Sequence, residues 1–304
     1  MKIFVIILLI SEISSVPIDD GRIIFRDDNN EDAEVVNSQQ VNLQRLLDDE
    51  NLLKSDNLTT EFLIDEDAKD VLENGEFYQG DIVLMEDQLD MLKATDDEFG
   101  TRTGILSQYY RWPKNRLGKV IVPYAFSNQY SLKDRAKILL GMRDIKKYTC
   151  VEFKPHSNEA DYIYIYSGDG CSSNLGKVGG QQAVSLHRQG CLSRGTVIHE
   201  LIHVLGYDHM HSHSDRDQYV QIIWNNINKK LYNNFEKVNP NRFSNFGTPY
   251  DYYSVMHYSP KAFSNNGQRT IEPTDTRYRN IIGQRFGLSN GDAKRINNMY
   301  NCFR

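Results

Sequence analysis

Residues 199–217 of this 304-residue chain read HELIHVLGYDHMHSHSDRD and hold five of its eight histidines. On a helix, residues four apart stand one above the other on the same face, so His199 and His203 can reach one ion. Glu200, one step round, is placed to take a proton from a water that the ion activates. Gly206 tolerates the left-handed backbone that ends a helix, and the turn it permits brings His209 back as a third ligand. Three neutral imidazoles with a fourth position open describe a catalytic zinc site, whereas a structural site would be closed. HExxH alone arises by chance in such a chain on the order of once in a hundred, and demanding Gly206 and His209 lowers that by roughly three orders of magnitude. The trio is therefore read as ligands. His211 and His213 are assigned to the loop after the site, and His156 and His187 to ordinary packing.

The elements that must position these residues are legible nearby. The apolar stretch 120–126 reads as a strand. Ser131 and Asp134 make a capping box for a helix on which Leu132, Ala136, Leu139 and Met142 keep helical spacing. Ile163 and Ile165 alternate within 161–166, a second strand, and 182–186 is a third. Ser289 and Asp292 form another capping box that opens a helix toward Tyr300. Helices and strands do not strictly alternate, so the class is α+β.

Composition is that of a globular protein, with 39% hydrophobic and 25% charged residues. No apolar run reaches the eighteen residues of a membrane span, so no membrane anchor is expected. The start, MKIFVIILLISEISSVP, has the form of a secretory signal peptide, cleaved near Ser15. The net charge of −6 hides a division: residues 17–102 carry 25 acidic and 7 basic side chains, residues 103–304 carry 15 and 27. An acidic segment that shields a basic body fits this contrast. A basic surface can also serve nucleic acid, but no groove-binding or aromatic-basic motif is present and none is expected as a partner. Cys150, Cys171, Cys191 and Cys302 are an even count in a secreted domain, which suggests two disulfides with three pairings open. Residues 17–76 are polar without clear periodicity, a helix at 42–51 is conceivable, and Asn57 lies in a glycosylation sequon.

HELIHVLGYDH carries the long zinc signature of the metzincin metallopeptidases, and SVMHY at 254–258 resembles the methionine turn of the astacin family. DRDQYV (215–220), PYDYYSVMHY and IGQRFGLSNGD (282–292) are similar to astacin segments, and 182–186 resembles that family's substrate-binding edge strand. The likeness covers 103–304 and implies a two-lobed zincin-like catalytic domain with one zinc ion. It implies that Met256 underlies the metal, that Tyr258 is a switchable ligand that also hydrogen-bonds the tetrahedral intermediate, and that the disulfides pair Cys150–Cys302 and Cys171–Cys191. Arg285 resembles a basic residue lining the pocket just after the scissile bond, which would favour Asp or Glu there.

YQGDI at 78–82 resembles the astacin prosegment motif in which an aspartate, here Asp81, occupies the water's position on zinc. Arg102-Thr103 is a site for a trypsin-like activating protease, and the sequence from Thr103 is similar to the mature family start. Family members bury the new amino terminus against a glutamate after the third histidine; this chain has Met210 there, and a thioether cannot pair with a buried ammonium. The expectation is a secreted zymogen: signal peptide 1–15, inhibitory propeptide 16–102 and catalytic domain 103–304, acting on proteins or peptides. The chain stops soon after Cys302, so no appended modules are expected. A binding protein on an inactive protease scaffold is the competing class, disfavoured by Glu200, the three ligands and Tyr258 occurring together.

Overall fold

A computed structural model describes strands Ile13–Pro17, Arg22–Asp27 and Glu34–Asn37 together with residues 77–93, 107–238 and 244–302. The chain divides into two compact units, Met1–Thr59 and Thr60–Arg304. In the first, Ile13–Pro17 (β1), Arg22–Asp27 (β2) and Glu34–Asn37 (β3) form an antiparallel sheet in the order β1-β2-β3. No strand is expected over 17–76; β1 takes in the last three residues of the expected leader, and residues 1–12, the stretch 42–51 and Asn57 lie outside the described residues.

The second unit is built on a six-stranded sheet of order β4-β8-β9-β7-β5-β6. Its strands are Ile82–Val83 (β4), Val120–Phe126 (β5), Val151–Pro155 (β6), Tyr162–Tyr166 (β7), Cys171–Asn174 (β8) and Gln181–Leu186 (β9). Strand β7 shows why such residues form a sheet: Ile163 and Ile165 are buried while the three tyrosines between and beside them are half-buried, the period-2 alternation of a pleat. Two helices lie with this sheet, Leu132–Tyr148 (α2) and Arg194–Val204 (α3), after a short Glu86–Lys93 (α1). Helix α2 opens at the expected capping box, with Ser131 Oγ accepting from Asp134 N. Its buried face is Ile138, Leu139, Met142 and Ile145, whereas Leu132, in the first turn, is exposed. The helix docks only beyond its first turn, so the apolar stripe that was expected begins one turn too early.

A second correction concerns the sheet edge. Strand β9 lies between β7, parallel, and β8, antiparallel. Both of its hydrogen-bonding sides are used, so 182–186 cannot be the edge that receives a substrate. On the far side of β9 lies β8, and β8 is in turn covered by β4 in parallel register, Ile82 opposite Ser173 and Val83 opposite Asn174.

The C-terminal lobe has little regular structure: short 3-10 turns, the antiparallel pair Val220–Ile222 (β10) and Ile271–Pro273 (β11), and Asn290–Met299 (α4). Its core gathers Met210, Phe235, Tyr250, Tyr258 and Phe263. The disulfides are Cys150–Cys302, which ties the end of α2 to the C-terminal segment, and Cys171–Cys191, between β8 and the entry to α3. Among the described residues no helix is long and apolar enough to cross a membrane.

Candidate metal centre

Helix α3 is capped by Ser193, whose Oγ accepts from Thr196 N at 3.2 Å, and is buried along nearly its whole length. Gly206, at φ 99°, ends it by donating its amide to His203 O at 2.7 Å. The chain turns back there and delivers His209 to the face that carries His199 and His203. The three Nε2 atoms converge, with 3.1 Å between those of His203 and His199 and 3.2 Å between those of His199 and His209.

What the other ring nitrogens do settles which atoms carry protons. His199 Nδ1 donates to Val255 O (2.8 Å) and His203 Nδ1 to Tyr207 O (2.6 Å); a carbonyl can only accept. His209 Nδ1 donates to Gln79 Oε1 at 2.9 Å, since Gln79 Nε2 is turned to the Tyr78 hydroxyl. All three Nε2 atoms therefore present lone pairs. Burial also disfavours protonation, pushing His199 down to about 3 and His209 to about 4.

Into this cluster projects Asp81. Gln79 and Gly80 both take positive φ, 47° and 87°, and the tight turn ends with Asp81 fully buried. Its Oδ2 lies 3.1 Å from His199 Nε2, and its Oδ1 3.5 Å from His203 Nε2 and 3.3 Å from His209 Nε2. Oδ1 has no hydrogen-bond partner. Three imidazole lone pairs and a carboxylate, all within 4.8 Å of one another and sealed from water, repel unless a cation sits among them. The donor set of nitrogen and one carboxylate suits zinc, so the residues present fit the ion, and each imidazole has the fixed outer hydrogen bond that metal-binding histidines use.

Glu200 is fully buried beside this cluster. Its Oε2 accepts from Ser173 Oγ at 2.9 Å and its Oε1 has no hydrogen-bond partner. Burial, reinforced by the charge of Asp81, raises its carboxyl well above the ordinary range. Tyr258 is fully buried and donates its hydroxyl to Gln79 O. His211, read as following the site and not as a ligand, lies in the short turn after His209, outside the ligand cluster, and is buried: its ring stacks on Tyr258 at 3.6 Å between centroids, and its Nε2 meets Asn234 O at 2.9 Å. Met256 is buried in the turn after Val255, the residue whose carbonyl holds His199, and its own carbonyl accepts from Met210 N at 2.9 Å.

Arg285 is buried as well. Its Nη1 donates to Val255 O, His257 O and Gln284 O at 3.0–3.1 Å, so its charge lies directly behind the methionine turn. Its backbone packs so closely on α3 that a Cβ on Gly195 would come within 2.0 Å of Arg285 O. Met210 packs in the C-terminal core with its Sδ 3.7 Å from Arg295 Nη2. The nearby acid is Asp208, one residue before His209: its Oδ2 is buried without a hydrogen-bond partner, and it lines a cavity of about 40 Å³ with Met210, Phe246 and Arg295. Arg102 and Thr103 lie outside the described residues. Gln79, Ser173 and His211 carried no signal in the sequence: their partners lie at positions far along the chain, or in a motif whose chemistry seemed complete without them.

Residues 105–301 match the model of the peptidase family Astacin. Zinc metalloproteinase nas-13 of Caenorhabditis elegans is 44% identical over 203 residues, 66% of this chain and 43% of that protein. Zinc metalloproteinase nas-8 of Steinernema carpocapsae is 38% identical over 268 residues, 86% of this chain and 62% of that protein. The chain thus spans 43% and 62% of the length of these two relatives. Among solved structures, High choriolytic enzyme 1, a hatching enzyme zinc-protease from Oryzias latipes (Medaka fish), is 43% identical with a TM-score of 0.61, covering 65% of this chain and 97% of that one. A match that takes in α3, the methionine turn and the Cys171–Cys191 disulfide says what this assembly of histidines is: the chain belongs to the astacin family of peptidases.

Proposed function

We propose that the chain is a zinc-dependent metalloendopeptidase made as a secreted zymogen, with residues 1–15 directing secretion, 16–102 inhibiting and 103–304 catalysing. The observation that carries this reading is the Asp81 carboxylate, 3.1–3.5 Å from three imidazole nitrogens that would otherwise keep one coordination place for a water. A zinc ion bound there supplies Lewis acidity, polarising a scissile carbonyl and lowering the pKa of water. Glu200 takes the proton of the attacking water and hands it to the leaving amine. Burial raises the Glu200 carboxyl and the negative charge of Asp81 adds to it, so departure of Asp81 exposes the site and removes one of the two effects that oppose the base. Departure of Gln79 frees the Tyr258 hydroxyl to turn toward the metal, as an additional ligand or as donor to the developing oxyanion. The preference for Asp or Glu just after the scissile bond is carried over from the resemblance at Arg285, and it requires part of this buried guanidinium, whose Nη1 is engaged by backbone carbonyls, to face the pocket. Asp208, with its buried Oδ2 lacking a hydrogen-bond partner, supports a role as the acid that meets the new amino terminus in place of the residue at 210. Arg111, nine residues into the mature chain, already stacks on the Phe246 ring that lines the same cavity.

Casein hydrolysis tests this. The uncleaved chain is expected to be inactive, and treatment with a trypsin-like protease to release an activity that a chelator abolishes and zinc restores. Glu200→Gln is expected to keep zinc and lose nearly all turnover, and a peptide-library profile of the activated protein to be enriched in acidic residues after the cut. Activity that survives metal removal would sink the reading.

A further inference from the structure

We propose that Ser173 is the residue that positions Glu200, an inference that rests on the peptidase reading above. Ser173 stands on β8, the edge strand of the catalytic part, and is fully buried. Its single hydroxyl proton faces two acceptors, Glu200 Oε2 at 2.9 Å and Glu200 O at 3.0 Å, so one shared hydrogen bond reaches the side chain and the backbone of the same residue of α3. The terminal torsion of a glutamate is soft and roughly two-fold. Left alone, the carboxylate could present either oxygen, at a range of tilts. With Oε2 held, Oε1 is the atom left over; it is buried and has no hydrogen-bond partner, as the oxygen that must take up a proton should be. General-base catalysis depends on that placement, and an ångström of misplacement can cost on the order of a hundredfold.

The same residue has a second, separable contact. Its amide donates to Asp81 O at 3.0 Å, within the strand pairing that lays β4 along β8. The backbone of Ser173 therefore engages whatever extended segment covers this edge, while its side chain engages the base. Binding is written in the main chain and proton transfer in the hydroxyl, so a side-chain substitution separates the two. A residue needed only for packing would not: its loss would disturb the edge, the helix and the metal together.

The test uses the full chain, activated by trypsin and assayed on a fluorogenic peptide. Ser173→Ala is expected to bind one equivalent of zinc, to melt within a few degrees of the parent and to keep KM within about twofold, while kcat falls by roughly 10- to 100-fold. Ser173→Thr, which retains the hydroxyl, is expected to recover most of that kcat. Ser173→Ala with parental kcat overturns the inference, and so does a fall in kcat accompanied by loss of zinc or of thermal stability. An inactive parent counts against the peptidase reading itself and so is distinguishable from either outcome.

Discussion

At the scale of single residues, the site is governed by what burial does to ionisable groups. The imidazoles of His199, His203 and His209 are held as lone-pair donors by the acceptors behind them, and burial keeps His199 and His209 unprotonated. Asp208 shows the opposite side of the same effect. Burial raises its carboxyl from the ordinary range to about 7, although its Oδ1 accepts from His209 N at 2.6 Å. A folded-state pKa above the unfolded value of about 3.9 means that the folded chain binds the extra proton. The stability attached to that proton is fully present below about pH 4 and is lost as pH rises through about 7. Asp208→Asn cannot ionise and escapes this loss. In metal-stripped, uncleaved protein the variant's melting temperature is expected to gain on the parent's from pH 4 to pH 7, with the gap constant above, worth at most several kcal/mol at about 1.4 per unit. A gap that does not change with pH would show that Asp208 is not strained in this way.

Among the elements, the capping box of α4 reaches into the metal site. Asp292 accepts from Ser289 N at 3.1 Å as a cap should, and the same carboxylate accepts from Ser254 Oγ at 2.6 Å and Val255 N at 2.9 Å. Val255 O is the acceptor of His199 Nδ1. One helix start thus fixes the methionine turn, and through it the tautomer of a ligand. Two variants separate these duties. Ser289→Ala is expected to cost about 1 kcal/mol of stability with zinc affinity unchanged. Asp292→Ala is expected to cost more and to weaken zinc binding by roughly 10- to 100-fold. Equal zinc affinity in both, measured by competition with a chelator, would confine Asp292 to the cap. The box itself was legible, because a serine followed three residues later by an acid is a local pattern. Its grip on residues 37 and 38 positions away was not. The misplaced edge strand has the same cause: local sequence marks 182–186 as a short strand, but the order of strands in a sheet is decided by pairings between distant segments.

Over the whole molecule, the proposed function is that of a chain carrying its own inhibitor. Residues 77–93 lie along the catalytic part by three kinds of contact: β4 on the sheet edge, Asp81 among the histidines, and Gln88 Nε2 donating to Leu175 O at 2.8 Å in a buried setting. The acidic leader and basic body point the same way in the bare sequence. The helical spacing of His199 and His203 and the glycine turn before His209 made the centre readable, since those are properties of one short segment. The outer contacts were unreadable for the converse reason, with Gln79 and His209 separated by 130 residues and Ser173 and Glu200 by 27. The central claim is that one zinc ion is shared by three imidazoles and the prosegment's own carboxylate. Diffraction from crystals of the uncleaved chain, recorded at the zinc absorption edge, tests it most directly. The account predicts a single anomalous peak bonded to Nε2 of His199, His203 and His209 and to a carboxylate oxygen of Asp81. A peak with Asp81 turned away, or no peak in fully folded protein, would contradict it.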